Sequence, residues 1–151
     1  MTALVVLGGT VSGCGSDLFE RCVPEESSAA SSADLTGTFE GELDADGARL
    51  TLTTAPGQAG GTLTAENWPT GDRHLAELGD TFDGSGTWEV DRQSDPDDIP
   101  RLRLYFEKPE GILRGDTVDL LTITADSERT VVYKHDDPDT CPDFVLELKK
   151  P

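Results

Sequence analysis

The chain has 151 residues, enough for one domain with one sizeable core and too few for two of ordinary size. Its 12 Lys and Arg stand against 30 Asp and Glu, a formal net charge of −18, and every charged side chain follows Cys14. Phosphate recognition needs clustered Lys and Arg, and no such cluster occurs, so composition argues against nucleic-acid binding; the acidity fits either solubility in an exposed environment or a cationic protein partner.

The first predicted element is an export segment over residues 1–13. An apolar run, Ala3 to Leu7, is followed by small residues and a cysteine, Val11-Ser12-Gly13-Cys14. A basic leader residue is missing, since the earliest cation is Arg21. The tetrad resembles the bacterial lipobox. In that family the cysteine thiol is alkylated by lipid and the same cysteine becomes the mature N-terminus, so the resemblance implies lipidation at Cys14 and anchoring at the extracytoplasmic face of the cell membrane. The competing reading is a buried strand over Leu4-Val5-Val6-Leu7.

Three cysteines are present, Cys14, Cys22 and Cys141. An odd count in a secreted chain needs an explanation, and lipidation of Cys14 leaves a pair. Cys22 and Cys141 are therefore expected to form a disulfide in an oxidising space, tying the start of the mature chain to its last strand. His74 and His135 are isolated from each other and from paired cysteines, so no zinc site is expected. Pro24 to Asp34 is small and polar and reads as a linker within a lipidated segment of residues 14–34; a Cys22 pinned to Cys141 would lay its Ser/Ala run over the domain as a covering loop.

The folded domain is predicted over residues 35–151. Leu35 to Leu43 leads through Asp44-Ala45-Asp46-Gly47 into Ala48 to Thr53, a hairpin whose inward face carries Leu50 and Leu52. Asp44, Asp46 and Gly47 open like a calcium loop, but the later ligands of that pattern are missing and a turn is expected. Gly61 to Trp68 is the third strand, after the Pro56-Gly57 break. A short helix is predicted over Asp72–Leu78, capped by Thr70 or Asp72 and ended by Gly79, with Leu75 and Leu78 on one edge. His74 is read as an exposed residue, because no nucleophile motif accompanies it. Further strands are predicted over 82–90, 101–106, 117–125, 129–134 and 144–149.

Gly37-Thr38-Phe39-Glu40 recurs as Gly86-Thr87-Trp88-Glu89. Each copy is followed by an acidic turn and then by an Arg-Leu-x-Leu strand, Arg49 to Leu52 and Arg101 to Leu104. The recurrence suggests two similar halves. The aromatic at the third place reads as a core plug, with the glycine giving it room. Short strands at this spacing predict an all-β, antiparallel domain of about eight strands, a small barrel or a sandwich, with one short helix.

The Gly-Thr-aromatic signature is similar to the Gly-x-Trp of lipocalin-like (calycin) barrels, although the first copy has Phe39 and the family's other motifs are absent. The chain as a whole resembles small secreted lipoproteins of actinobacteria, on the lipobox, the Gly84 to Glu89 stretch and Asp137 to Phe144. That group implies no common activity. Asp136, Asp137, Asp139 and Asp143 could converge on calcium, but Pro138 and Pro142 make the segment a rigid turn without an ion. No cofactor and no metal are expected, and no enzymatic activity, because nucleophile, phosphate-loop and triad motifs are all lacking.

Two functional readings follow. The first is a monomeric, membrane-anchored binding module taking a small apolar ligand, with Phe39, Trp68 and Trp88 as the lining residues, or a protein on its rim. The second is an acidic inhibitor or immunity-type protein that docks a cationic toxin or hydrolase. An apolar cavity between the three aromatics favours the first, and a filled core with an acidic face favours the second.

Overall fold

The structure, a computed structural model, describes residues 22–24, 30–92, 99–134, 137 and 140–149. The export segment and Cys14 lie outside these residues, as do Asp136 and Asp139 of the acidic run.

The strands follow in chain order as β1 (Gly37–Leu43), β2 (Arg49–Thr54), β3 (Gly60–Pro69), β4 (Thr81–Asp91), β5 (Arg101–Lys108), β6 (Leu120–Ala125), β7 (Thr130–Lys134) and β8 (Phe144–Lys149). The one helix, α1 (Leu75–Leu78), lies between β3 and β4. Each strand pairs antiparallel with the next, and β1 pairs with β8, so the sheet closes into an eight-stranded barrel. Of the two architectures that the strand spacing allows, the barrel is the one formed. Closure leaves no free edge to template aggregation.

Period-two alternation builds the interior. Leu50 and Leu52 on β2, Leu63 and Ala65 on β3, Leu102 and Leu104 on β5, and Leu121 and Ile123 on β6 are buried, while neighbours such as Arg49, Thr62, Thr64 and Arg101 face solvent. The inward residues join Phe39, Trp68, Trp88, Val132 and Leu146 in a single cluster. Outside, Arg49 reaches Glu40 at 3.6 Å and Glu66 at 3.3 Å across three strands. Such exposed pairs contribute little to stability, about 0 to 1 kcal/mol; they bias register rather than hold the fold.

The connections 44–48, 70–80 and 109–119, with residues 137 and 140–143 between β7 and β8, share one end of the barrel, the upper rim. The chain enters at the other end. There Leu35 and Ala30 pack into the core cluster, while Ser32 Oγ donates to the Gln58 carbonyl at 2.6 Å and Arg92 donates to the Ala30 carbonyl at 2.7 Å. Residues 30–34 of the Ser/Ala run thus cover the domain, as its tethering at Cys22 predicts.

Cys22 and Cys141 are disulfide-bonded, with Cα atoms 5.7 Å apart. Beside the bridge, Val23 packs with Val131, Tyr133 and Val145 in a second apolar cluster. These side chains alternate with the inward Val132 and Leu146, so they stand on the outer surface of β7 and β8. Val131-Val132-Tyr133 is an unbroken apolar run because both of its faces are covered.

Two boundaries differ from the sequence expectation. Residues 71–74 form a turn instead of a first helical turn, closed by the His74 amide on the Gly71 carbonyl at 3.0 Å. The helix therefore begins at Leu75, without a side-chain cap from Thr70 or Asp72; Gly79 ends it with φ of 79°. Leu78 packs on the core but Leu75 is exposed. β6 begins at Leu120 and not Thr117, because Thr117 Oγ1 donates to the Pro69 carbonyl at 2.5 Å and the Trp68 indole donates to the Val118 carbonyl at 3.1 Å. Both bonds draw residues 117–118 toward the end of β3.

The recurrent motif does not divide the barrel into halves. Its copies fall on β1–β2 and β4–β5, three strands apart where halves of an eight-stranded barrel would be four apart. The registers also differ: Phe39 pairs with Leu50, the first leucine of its Arg-Leu-x-Leu strand, whereas Trp88 pairs with Leu104, the second. A two-residue slip keeps every side chain on its face, so both copies still point the aromatic inward.

At the irregularity between Ser85 and Gly86, a Cβ on Gly86 would stand 1.9 Å from the Tyr105 carbonyl oxygen. Gly86→Ala is expected to destabilise by about 2 to 4 kcal/mol in urea titration, since the obstacle is backbone. The Cys22→Ser, Cys141→Ser double variant removes a bridge across 119 residues of sequence separation. The chain-entropy model predicts a loss of about 4 to 5 kcal/mol, with the folded barrel retained at room temperature. Thiol labelling of the unreduced, denatured wild type should find neither cysteine free.

Candidate functional site

Phe39, Trp68 and Trp88, the residues predicted to line a ligand cavity, are fully or almost fully buried in the core cluster. Phe39 sits between Leu50 on β2 and Leu148 on β8. Trp68 meets Phe144 edge-on at 5.5 Å and Phe106 at 5.9 Å between ring centroids. The Trp88 indole donates to the Thr53 carbonyl at 3.1 Å. With the Trp68 bond to Val118, both indole N–H groups are satisfied within the protein. Four clefts of about 140 to 510 Å³ open among the described residues at the surface, and Phe39, Trp68 and Trp88 line none of these four. The aromatics occupy the volume they were expected to surround.

The clefts gather at the upper rim. One of about 400 Å³ runs past Asp44, Pro69, Val118 and Asp143, and one of about 480 Å³ past Thr70, Arg73, Asp116 and Val118. A third, of about 510 Å³, lies along β6 between Arg101 and Lys134, and the smallest, about 140 Å³, lies between Leu104, Phe106 and Ile112. All four border residues 112–120. The cause is the short β5–β6 ladder: β6 pairs only with Arg101–Arg103, while β4 follows β5 as far as Lys108. Beyond Arg103 a connection replaces a strand, and it packs less completely than a sheet.

One carboxylate holds that connection. Asp116, its side chain 5% exposed, accepts from Arg73 at 2.8 Å, from the Leu113 amide at 3.0 Å and pairs with His74 Nε2 at 3.2 Å. The Leu113 N–H and the His74 hydrogen bond hold its carboxyl below the usual carboxylate range against the cost of burial, with Arg73 adding to the effect. The clasp joins the 109–119 connection to the turn before α1. His74 is consequently 15% exposed and not the surface residue that its sequence context suggests. Its other nitrogen lies 3.9 Å from Glu77.

Acidic and apolar groups share the same rim. Glu42, Asp44, Asp46, Asp72, Asp80 and Asp143 are exposed and form no ion pair among the described residues. Leu43 and Leu113 are each 65% exposed and Leu75 45%. The Asp44–Gly47 stretch is a hairpin turn, with the Asp44 amide on the Asp143 carbonyl at 2.9 Å and Gly47 at φ 81°. Among the described residues, no three His, Cys, Asp or Glu side chains converge as a metal-binding group.

Asp116→Asn should lower the unfolding midpoint at neutral pH and speed hydrogen exchange in residues 112–119. A carboxyl whose folded pKa is depressed contributes stability that is fully present above its unfolded value, about 3.9, and is lost as pH falls through the folded one. The stability gap between wild type and variant should therefore be flat above about pH 5 and narrow below about pH 4. A gap unchanged at low pH would contradict the clasp.

Compared with protein-family models, with curated proteins and with solved structures, the chain matches none. The functional reading rests on its own geometry.

Proposed function

We propose that the protein is a lipid-anchored, non-catalytic binding module of the extracytoplasmic membrane face, and that it acts as a monomer whose partner is a cationic protein docked on the upper rim. The observation that carries this reading is the filled interior: Phe39, Trp68 and Trp88 are core, so recognition falls to the outer surface. The rim offers exposed carboxylates in a chain of net charge −18, interspersed with Leu43, Leu75 and Leu113. Like-signed charge raises the encounter rate with a basic partner, and exposed leucines supply area that is desolvated on contact. An inhibitor or immunity-type role against a cationic toxin or hydrolase is the form of binding that best suits such a rim.

The anchor is supported by the cysteine count. Cys22 and Cys141 consume each other, which leaves Cys14 as the one cysteine outside the bridge, directly behind the apolar run. Two or more acyl chains, at about 0.8 kcal/mol per buried methylene, hold an acidic domain at an anionic surface despite repulsion.

Cys14→Ser in the full-length precursor is expected to release the protein from the membrane fraction; unchanged retention would refute the anchor. For the rim, calorimetry against a panel of cationic secreted hydrolases should show binding that weakens with salt. The triple variant Asp44→Lys, Asp72→Lys, Asp143→Lys should lose about tenfold or more in affinity at low salt. Binding indifferent to both salt and the triple variant would refute rim docking.

A further inference from the structure

The smallest cleft differs from the other three in chemistry. Leu104, Phe106, Ile112 and Leu113 supply its apolar side, and its volume is about 140 Å³. Leu104 is buried in the core cluster, and Phe106 and Ile112 pack against it. Asp119, the nearest carboxylate, is turned to the Gly115 amide, which donates to it at 2.8 Å. The wall is therefore mixed, an apolar face set beside Tyr105, Arg114 and Thr117. An apolar cavity of roughly 150 Å³ is large enough to accept benzene, and the apolar face here lines a cleft of similar size that opens to solvent at Leu113.

We infer that this cleft is a binding site for a small apolar molecule of single-ring size, entered by displacement of the 109–119 connection. Three observations meet there. The β5–β6 ladder stops at Arg103, so the wall facing Phe106 is a connection and not a strand. Leu113 is 65% exposed although it lines the cleft, which places it at the mouth. The connection is held by discrete bonds outside the strand ladders, Asp116 to Arg73 and His74, Thr117 to the Pro69 carbonyl, Val118 to the Trp68 indole and the Asp119 carbonyl to the Leu104 amide. Gly111 and Gly115, both at positive φ with open space beside them, flank Ile112 and Leu113, the two residues the connection contributes to the apolar face.

Phe106 relays occupancy to the aromatic end of the core, since it touches Phe82 at 5.3 Å and Trp68 at 5.9 Å between ring centroids. The site is distinct from the predicted one between Phe39, Trp68 and Trp88. Leu113 belongs to both this cleft and the docking rim, but benzene shifts at Leu104 and Ile112 and salt-dependent binding of a cationic protein are separate readouts, so failure of either leaves the other standing.

The test is a titration of the mature protein with benzene, followed by methyl and amide NMR. Shifts are expected at Leu104, Ile112 and Leu113, with Leu50 and Leu52 unmoved. Naphthalene, too large for the cleft, should bind at least about tenfold more weakly in spite of its greater hydrophobicity. Ile112→Trp should fill the cleft and abolish the benzene shifts, with far-UV circular dichroism reporting whether the barrel persists. Should that variant fail to fold, Leu113→Ala, at an exposed position, should weaken benzene several-fold by removing part of the wall. No shift at saturating benzene, shifts centred on Leu50 and Leu52, or equal affinity for naphthalene would each overturn the inference.

Discussion

Pairing of Thr38–Leu43 with Phe144–Lys149 closes the sheet, and closure fixes the volume that the inward side chains must fill. With eight strands that volume is about what large side chains occupy. Phe39, near the start of the closing pair, lies against Leu148 and Leu50 and is fully buried in the core. Trp68, Phe106, Phe82 and Phe144 fill the upper end, and Leu35 packs in from the lower one. The bridge from Cys22 to Cys141 holds the incoming chain immediately ahead of β8, so covalent chain entry and strand closure reinforce each other.

Closure is not uniform around the circumference. The β3–β4 and β4–β5 ladders are long, with bulges that let Gly86 and Asn67 bend the strands, whereas β5–β6 is limited to three residues. The resulting weakness is repaired from outside the sheet. Asp116, Thr117 and Val118 each bind the β3–α1 region, through Arg73 and His74, Pro69 and Trp68 respectively. Surface openings cluster beside this repair, and the acidic turns surround it. These four clefts thus lie where the sheet is least complete.

Most of the fold was legible because its signals are local. Leu50-Thr51-Leu52 and Leu63-Thr64-Ala65 alternate, and glycine, proline and aspartate mark the turns between them. Alternation specifies which face a residue takes, not whether that face encloses a void; hence Trp68 and Trp88 could be read as lining or as plug. The helix was overextended because Asp72, Arg73 and His74 suit a first helical turn, while the residue that diverts them, Asp116, is 42 positions beyond His74. Asp116 itself was invisible among 30 acidic residues, since only its fold neighbours single it out. The outer cluster had a readable sign, the unbroken Val131-Val132-Tyr133 run in a chain that otherwise alternates. The cysteine pairing was reachable once the lipobox resemblance set Cys14 aside and left Cys22 and Cys141 as the pair.

Phe39, Trp68 and Trp88 belong to the packed core, and the proposed docking is placed on the acidic rim for that reason. The most direct test is a crystal of the mature domain pressurised with xenon, an apolar atom that reveals voids too dry for water. The account predicts xenon beside Leu104 and Ile112 and none in contact with Phe39 or Trp88. A xenon site between Phe39 and Trp88 would show a hollow interior and return the function to a ligand held inside the barrel.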